Sequence, residues 1–333
     1  MTRPTAEVAA SGPARRPGTW RAVAVLVLVA VAALVPLLGP SVALRGTGEA
    51  AAPGVGGIAL LRGVLFAALC VPSGELFVDR LARRLPDPPP ERPAGWAVFA
   101  AVAGFVAALG LASVVSTGNL VPRSLADIDV GGLYQSRDGK LALIEVNAFL
   151  LAGLCARSRR PAAQAWPLAA VAVAEALRAH PAPEHHPLLG ASLTLVHLTC
   201  ATLWVGGLLH ALRMLRRWRG REAGAALLGL YARVAGVLLA AITATGVWSS
   251  LRRMPVGTVL DQLTTTAYGR TLLAKVILVA AVAVLALWAR FRLRRAADPL
   301  TAYVPARAEV AVLGAVVAVS GVLTALPLPI RWT

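Results

Sequence analysis

The sequence predicts an all-α polytopic membrane protein: a bundle of about nine transmembrane helices, with a cytoplasmic N-terminus and the C-terminus outside. Three observations carry this expectation. Hydrophobic residues make up 57% of the 333-residue chain and charged residues only 15%, where a soluble domain has roughly a quarter charged. Several runs of about twenty residues are dominated by Ala, Val, Leu and Gly, long enough to cross a hydrocarbon core of roughly 30 Å at about 1.5 Å per residue. The basic residues gather in every second loop. A lipid-embedded backbone must satisfy its own polar groups, so the spans are helices.

In chain order the spans fall at 20–38, 55–78, 95–117, 140–156, 162–179, 188–212, 225–250, 269–291 and 305–326. The first follows Arg15 and Arg16 and precedes "SVA". It is long for a signal peptide and reads as a retained helix. The second ends before the proline-rich spacer "PDPPPERP". A long polar segment, "NLVPRSLADIDVGGLYQSRDGK", follows the third and is suited to folding over the mouth of the bundle. The fifth is the weakest span, interrupted by Pro167 and Glu175. The loops assigned inside carry Arg80, Arg83, Arg84 and Arg92, then Arg157, Arg159 and Arg160, then Arg213 to Arg221, then Arg290 to Arg307. The outside segments hold about half as many basic residues, as the positive-inside rule requires. Trp20, Trp96 and Trp218 fall at the inner interface, Trp248 and Trp332 at the outer one. These boundaries divide the chain into a cytoplasmic tail (1–19), a five-helix region (20–179), a four-helix region (180–326) and a short outer tail (327–333).

The formal net charge is +17. Because the cations sit in short loops between apolar spans, they fix topology and meet anionic lipid headgroups of the bilayer; no nucleic-acid partner is implied. Cys70, Cys155 and Cys200 lie scattered in apolar segments without CxxC spacing, which argues against a disulfide framework or a zinc knuckle. No GxSxG, Walker A, HExxH or ATPase phosphorylation motif occurs. The chain therefore does not read as an enzyme, and any transport runs passively or on an ion gradient or membrane potential.

All five histidines fall within 180–210: His180, His185, His186, His197 and His210. The first three occupy the outer loop between the fifth and sixth spans, with Glu184 among them and Glu175 about one turn below. His197 lies about 14 Å down the sixth helix by helical rise. Neutral imidazole is the commonest protein metal ligand and suits copper, zinc, iron and nickel. An ionisable side chain inside a span is costly and points to function. His180, His185, His186, His197, Glu184 and Glu175 are thus the candidate metal ligands. Cys200, about one turn from His197, is a softer candidate for Cu(I), set against plain core packing. His210 reads as an interfacial residue reaching the headgroups. Lys275 and Glu145 are further intramembrane candidates, with Lys275 placed to pair with Glu145 or Glu175 in a structural ion pair or to tune a metal path. A bis-histidine haem needs a facing histidine on a second helix, and no other span has one.

The motif "VHLTCATLWVGGLLHAL" at 196–212 resembles the histidine-then-WxGG helix of the copper resistance protein D (CopD) family. "YARVAGVLLAAITATGVWSSL" at 231–251 and "LTTTAYGRTLLAKVILVAAVAVLAL" at 263–287 resemble that family's paired helices. The N-terminal half resembles the CopD-like part of actinobacterial proteins that are sometimes fused to a cytochrome oxidase assembly (CtaG-like) domain. The resemblance implies copper handling, with uptake, at the bacterial cytoplasmic membrane. It maps family histidines to His180 and His197, a packing motif to Trp204, Gly206 and Gly207, and a later motif to Tyr268, Gly269 and Lys275. Ala179 stands where the family often has Gly, and Ala289-Arg290 where it often has Asn-Arg. The implied partners are a separate periplasmic copper carrier (CopC-like) or an oxidase assembly factor (CtaG-like). The leading reading is copper transport through a histidine-lined outer mouth. The rivals are a non-transporting scaffold that delivers copper to oxidase assembly and a haem-binding electron carrier.

Overall fold

A computed structural model describes residues 19–118, 124, 129–181, 184–218, 222–254, 256–295 and 303–328. Among these the chain is helical, without strands. The helices are α1 (Thr19–Leu44), α2 (Val55–Ala82), α3 (Ala97–Thr117), α4 (Val130–Gln135), α5 (Arg137–Arg157), α6 (Ala165–Arg178), α7 (Pro187–Arg217), α8 (Glu222–Arg253), α9 (Val259–Thr265), α10 (Ala267–Arg295) and α11 (Tyr303–Ala325). A helix stands at each of the nine spans expected from sequence. The terminal tails, most of the segment 119–128, Arg219, Arg221 and Trp332 lie outside the described residues.

Among the described residues seven helices are long and apolar enough to cross a membrane: α2, α3, α5, α7, α8, α10 and α11. The described apolar part of α1 runs only over Ala30–Leu44. The α6 helix has 14 residues, or about 21 Å of rise, short of the roughly 30 Å core. Its shortness has a local cause. The chain leaves α5 through Pro161 and a single 3-10 turn before the α-helix begins, and Pro167 sits in the first turn of α6, where a missing N–H costs nothing. The α6 helix still reverses the chain, because Arg137 at the start of α5 donates to the carbonyls of Leu177 and His180 at its end.

Two centres of packing hold the bundle. One joins α2, α7 and α8 with α10 and α11 around Trp204, Leu208, Met214, Leu227 and Val282. The other joins α2, α3, α5 and α6 around Leu65, Leu69, Phe149 and Val171. The α2 helix belongs to both and is the spine. It meets α7 in a close backbone contact: a Cβ on Gly74 would fall on the Gly206 backbone, and one on Gly206 on the Cys70 carbonyl. Apolar lipid gives helices no hydrophobic drive to associate, so glycine contacts of this kind bring backbones together. Beside them Trp204 is buried, its carbonyl accepts the Tyr231 hydroxyl at 2.6 Å, and Gly207 leaves room for the Tyr231 ring.

Trp218 departs from the interfacial expectation. Its ring is 1% exposed, and its indole N–H donates to the Glu91 carbonyl at 2.7 Å. A buried indole needs such an acceptor, and the proline-rich spacer supplies it.

Candidate metal-handling histidines

The 179–186 loop turns the chain from α6 into α7 at one end of the bundle. His180 is buried in it. Its ring fits because position 190 is glycine, where a Cβ would strike the imidazole. His180 Nδ1 lies 2.5 Å from Glu184 Oε2, and Nε2 lies 2.8 Å from the Thr194 hydroxyl. A carboxylate only accepts, so Nδ1 carries the proton and Nε2 accepts from Thr194. A metal would reach Nε2 by displacing one hydroxyl.

The same loop is clamped from α8. Arg252 reaches Glu184 at 3.3 Å, the His185 carbonyl at 2.5 Å and the His186 carbonyl at 3.3 Å. Arg253 donates to the Tyr268 hydroxyl at 3.0 Å. His186 takes a left-handed backbone, φ 57°, immediately before Pro187 opens α7. The His185 and His186 rings are exposed, with centroids 5.4 Å apart.

Burial lowers the pKa of His180; Glu184 opposes that shift, and Arg253 and Arg252 reinforce it. The neutral ring, the form that binds metal, is thereby favoured in the folded loop. The stability this lends is complete above the ordinary histidine value of 6.5 and is lost as pH falls through the lowered value. Backbone amides around His180 are therefore expected to exchange faster at about pH 5 than at about pH 7.5 in native-state hydrogen exchange, relative to amides in α2.

His197 does not join the other imidazoles. It faces α8, where Nδ1 lies 3.2 Å from the Ile242 carbonyl and 3.1 Å from the Thr245 hydroxyl. The Thr245 hydroxyl itself donates to the Ala241 carbonyl at 2.7 Å. Both neighbours thus accept, and Nδ1 carries the proton. Nε2 keeps its lone pair and has no hydrogen-bond partner among the described residues. Lys275 of α10 lies within electrostatic reach of the ring.

The described residues bear on two features of the expected arrangement. No three His, Cys, Asp or Glu side chains come together in a metal-holding group among the described residues; Cys200 contributes to the first core with α8 and α10. Lys275 pairs with neither Glu145 nor Glu175. Glu145, wholly buried, takes Arg178 at 2.8 Å, and Glu175 takes Arg62 at 3.0 Å. Glu175 is consequently committed to a neutralised group of four charges at the α2, α5 and α6 contact, apart from the loop histidines.

Residues 225–323, from α8 into α11, match the family model of Copper resistance protein D. Over this segment the chain is similar to the copper resistance protein D family. No curated protein and no solved structure matches the chain. The CopD segment is narrower than the resemblance read from sequence, for it begins after α7 and leaves out all five histidines. It does contain Ile242 and Thr245, which orient His197, and the arginine pair that clamps the outer loop. It also contains Tyr268, Gly269 and Lys275. Gly269 has a steric role, since a Cβ there would strike the Gln262 carbonyl where α9 turns into α10. This similarity falls on α8, α10 and α11, three of the helices long and apolar enough to cross a membrane.

Thr194, Ile242, Thr245 and Arg252 were not singled out from sequence. Only Arg252 left a signal there: with Arg253 it forms a basic pair at the end of a span on the side otherwise poor in cations. A threonine hydroxyl or a helix carbonyl has no sequence signature until a neighbour is packed against it.

Proposed function

We propose that the protein carries copper across the bacterial cytoplasmic membrane, in the direction of uptake, without an enzymatic step. The observation that supports this best is the fixed tautomer of His197. Metal-binding histidines commonly donate one ring N–H to a carbonyl or similar acceptor so that the other nitrogen presents its lone pair. His197 has this arrangement about 15 Å along α7 by helical rise, where an apolar side chain would pack at less cost. Copper would meet the exposed His185–His186 pair first, then the neutral His180, then His197 Nε2. One ligand at a time gives weak, exchangeable binding, which suits passage rather than storage. Lys275 near His197 works in the same direction, since a fixed cation disfavours long residence of a metal ion.

In this reading the ion arrives from a separate extracytoplasmic copper carrier, and His185 and His186 are the point of exchange. The decisive measurement is copper flux into liposomes containing the purified protein. Wild type is expected to load copper and His197→Ala to lose at least about tenfold of the rate at equal protein content. Equal flux in the two would remove His197 from the path. No flux in either, together with outside copper binding and a stable membrane partner, would favour the delivery scaffold instead.

A further inference from the structure

At the opposite end of the bundle His210 was expected to reach the headgroups, but it is 4% exposed and faces α2. Thirteen residues separate it from His197, so at about 100° per residue the two rings leave α7 in different directions. His210 Nε2 stands 3.5 Å from Asp79 Oδ1, and Nδ1 stands 3.9 Å from Glu75 Oε1. Both ring nitrogens and Asp79 Oδ1 are buried atoms without a hydrogen-bond partner among the described residues. Such groups are costly in a packed interior unless something binds them.

The roles of the two carboxylates differ. Glu75 is fully engaged: Oε1 accepts the Trp96 backbone N–H at 2.7 Å and Arg213 at 2.8 Å, and Oε2 accepts the Ala97 N–H at 3.2 Å. Arg213 is itself fixed over the Trp96 ring and on the Ala94 carbonyl. Asp79 Oδ1 has no such bond among the described residues, and the side chain is 38% exposed. The group thus has one buried nitrogen donor and one carboxylate opening outward. A pinned carboxylate stands behind the ring. With His210 neutral the formal charge of Glu75, Asp79 and Arg213 is net negative.

We propose that His210 Nε2 and Asp79 Oδ1 form a second cation site, for a divalent transition ion of borderline softness, with the Glu75 carboxylate as a nearby counter-charge. The separation fits. Two ligands each about 2.0–2.2 Å from a tetrahedral ion stand about 3.4 Å apart, whereas 3.5 Å is long for a hydrogen bond between the same atoms. An imidazole and a carboxylate suit such an ion, and water completes its shell from the open Asp79 side. Glu75, 3.9 Å from Nδ1 and held by other donors, adds negative charge beside the ring that favours a bound cation. The site stands whether or not the outer histidines pass copper.

The probe is Co(II), added to the tag-free full-length protein in detergent and followed by its visible ligand-field bands and by equilibrium dialysis. The background is the double variant His185→Ala/His186→Ala, which removes the exposed outer pair. In that background one equivalent of Co(II) is expected to remain bound. Adding His210→Ala should abolish it, and adding Asp79→Asn should weaken it at least about tenfold. Asp79 is partly exposed, so its variant tests the site even where His210→Ala fails to fold. No cobalt bound in the background variant, or binding unchanged by both inner substitutions, would overturn the proposal. A failed copper-flux experiment leaves this titration untouched, so the two readings fall separately.

Discussion

Gly206→Leu is expected to prevent the bundle from assembling. The α2 and α7 helices touch through backbone atoms at this point, with Gly206 on the Cys70 carbonyl and Gly74 on Gly206. Overpacking a core with extra methylenes costs about 1–3 kcal/mol when side chains can give way. Here the obstacle is a helix backbone, and yielding means moving α2, which belongs to both packing centres. The cost should therefore lie at or beyond the upper end of that range. The measurement is the yield and thermal unfolding midpoint of the purified variant in detergent. Gly229→Leu on α8 is the control, because nothing lies within 4 Å of a Cβ at Gly229; it should change stability by less than about 0.5 kcal/mol. Similar losses for the two variants would show that glycine itself, rather than close approach, is what the helices need.

The second large effect is expected from Arg178→Met. Glu145 is fully buried, and Arg178 is its direct ion-pair partner at 2.8 Å. Removing one member of a buried pair leaves an uncompensated charge and costs about 3–5 kcal/mol. The double variant Arg178→Met/Glu145→Leu should recover most of the loss, since replacing a buried pair with apolar groups of similar volume is often neutral. Arg62 and Glu175 remain to neutralise each other at 3.0 Å. Chemical or thermal denaturation of the two variants beside the wild type checks both statements. A double variant no more stable than the single one would mean that the four charges act together and that the second pair fails without the first.

Much of the architecture was legible in the chain. Apolar runs marked the nine longer helices but not the short α4 and α9, because the bilayer leaves a spanning backbone no alternative to helix. The α6 helix is shorter than the span read from sequence. Apolar residues over 162–179 read as a span, but Pro161 and the 3-10 turn consume the first residues, and α6 starts only at Ala165. The glycine motif beside Trp204 was also legible, because only a glycine lets two backbones meet.

Side-chain partners were not legible in the same way. Lys275 read as the natural counter-ion for Glu145 and Glu175, since all three lie in outer half-spans. Arg178 and Arg62 took those roles because α6 leans on α2 and α5, which no linear pattern reveals. His210 read as interfacial from its depth alone. Depth is a property of position along one helix, whereas burial depends on the neighbour, and here α2 brings Glu75 and Asp79 against the ring.

By itself the sequence determined that this chain is a membrane-embedded helical bundle, where its helices run, and that its imidazoles are confined to one loop and one helix. Length, hydropathy and glycine placement act locally, and the bilayer converts them directly into structure. Only the tertiary structure decided which histidines are tied and which keep a free nitrogen. A ring nitrogen is occupied or open according to atoms contributed by another helix: Ile242 and Thr245 for His197, Glu75 and Asp79 for His210.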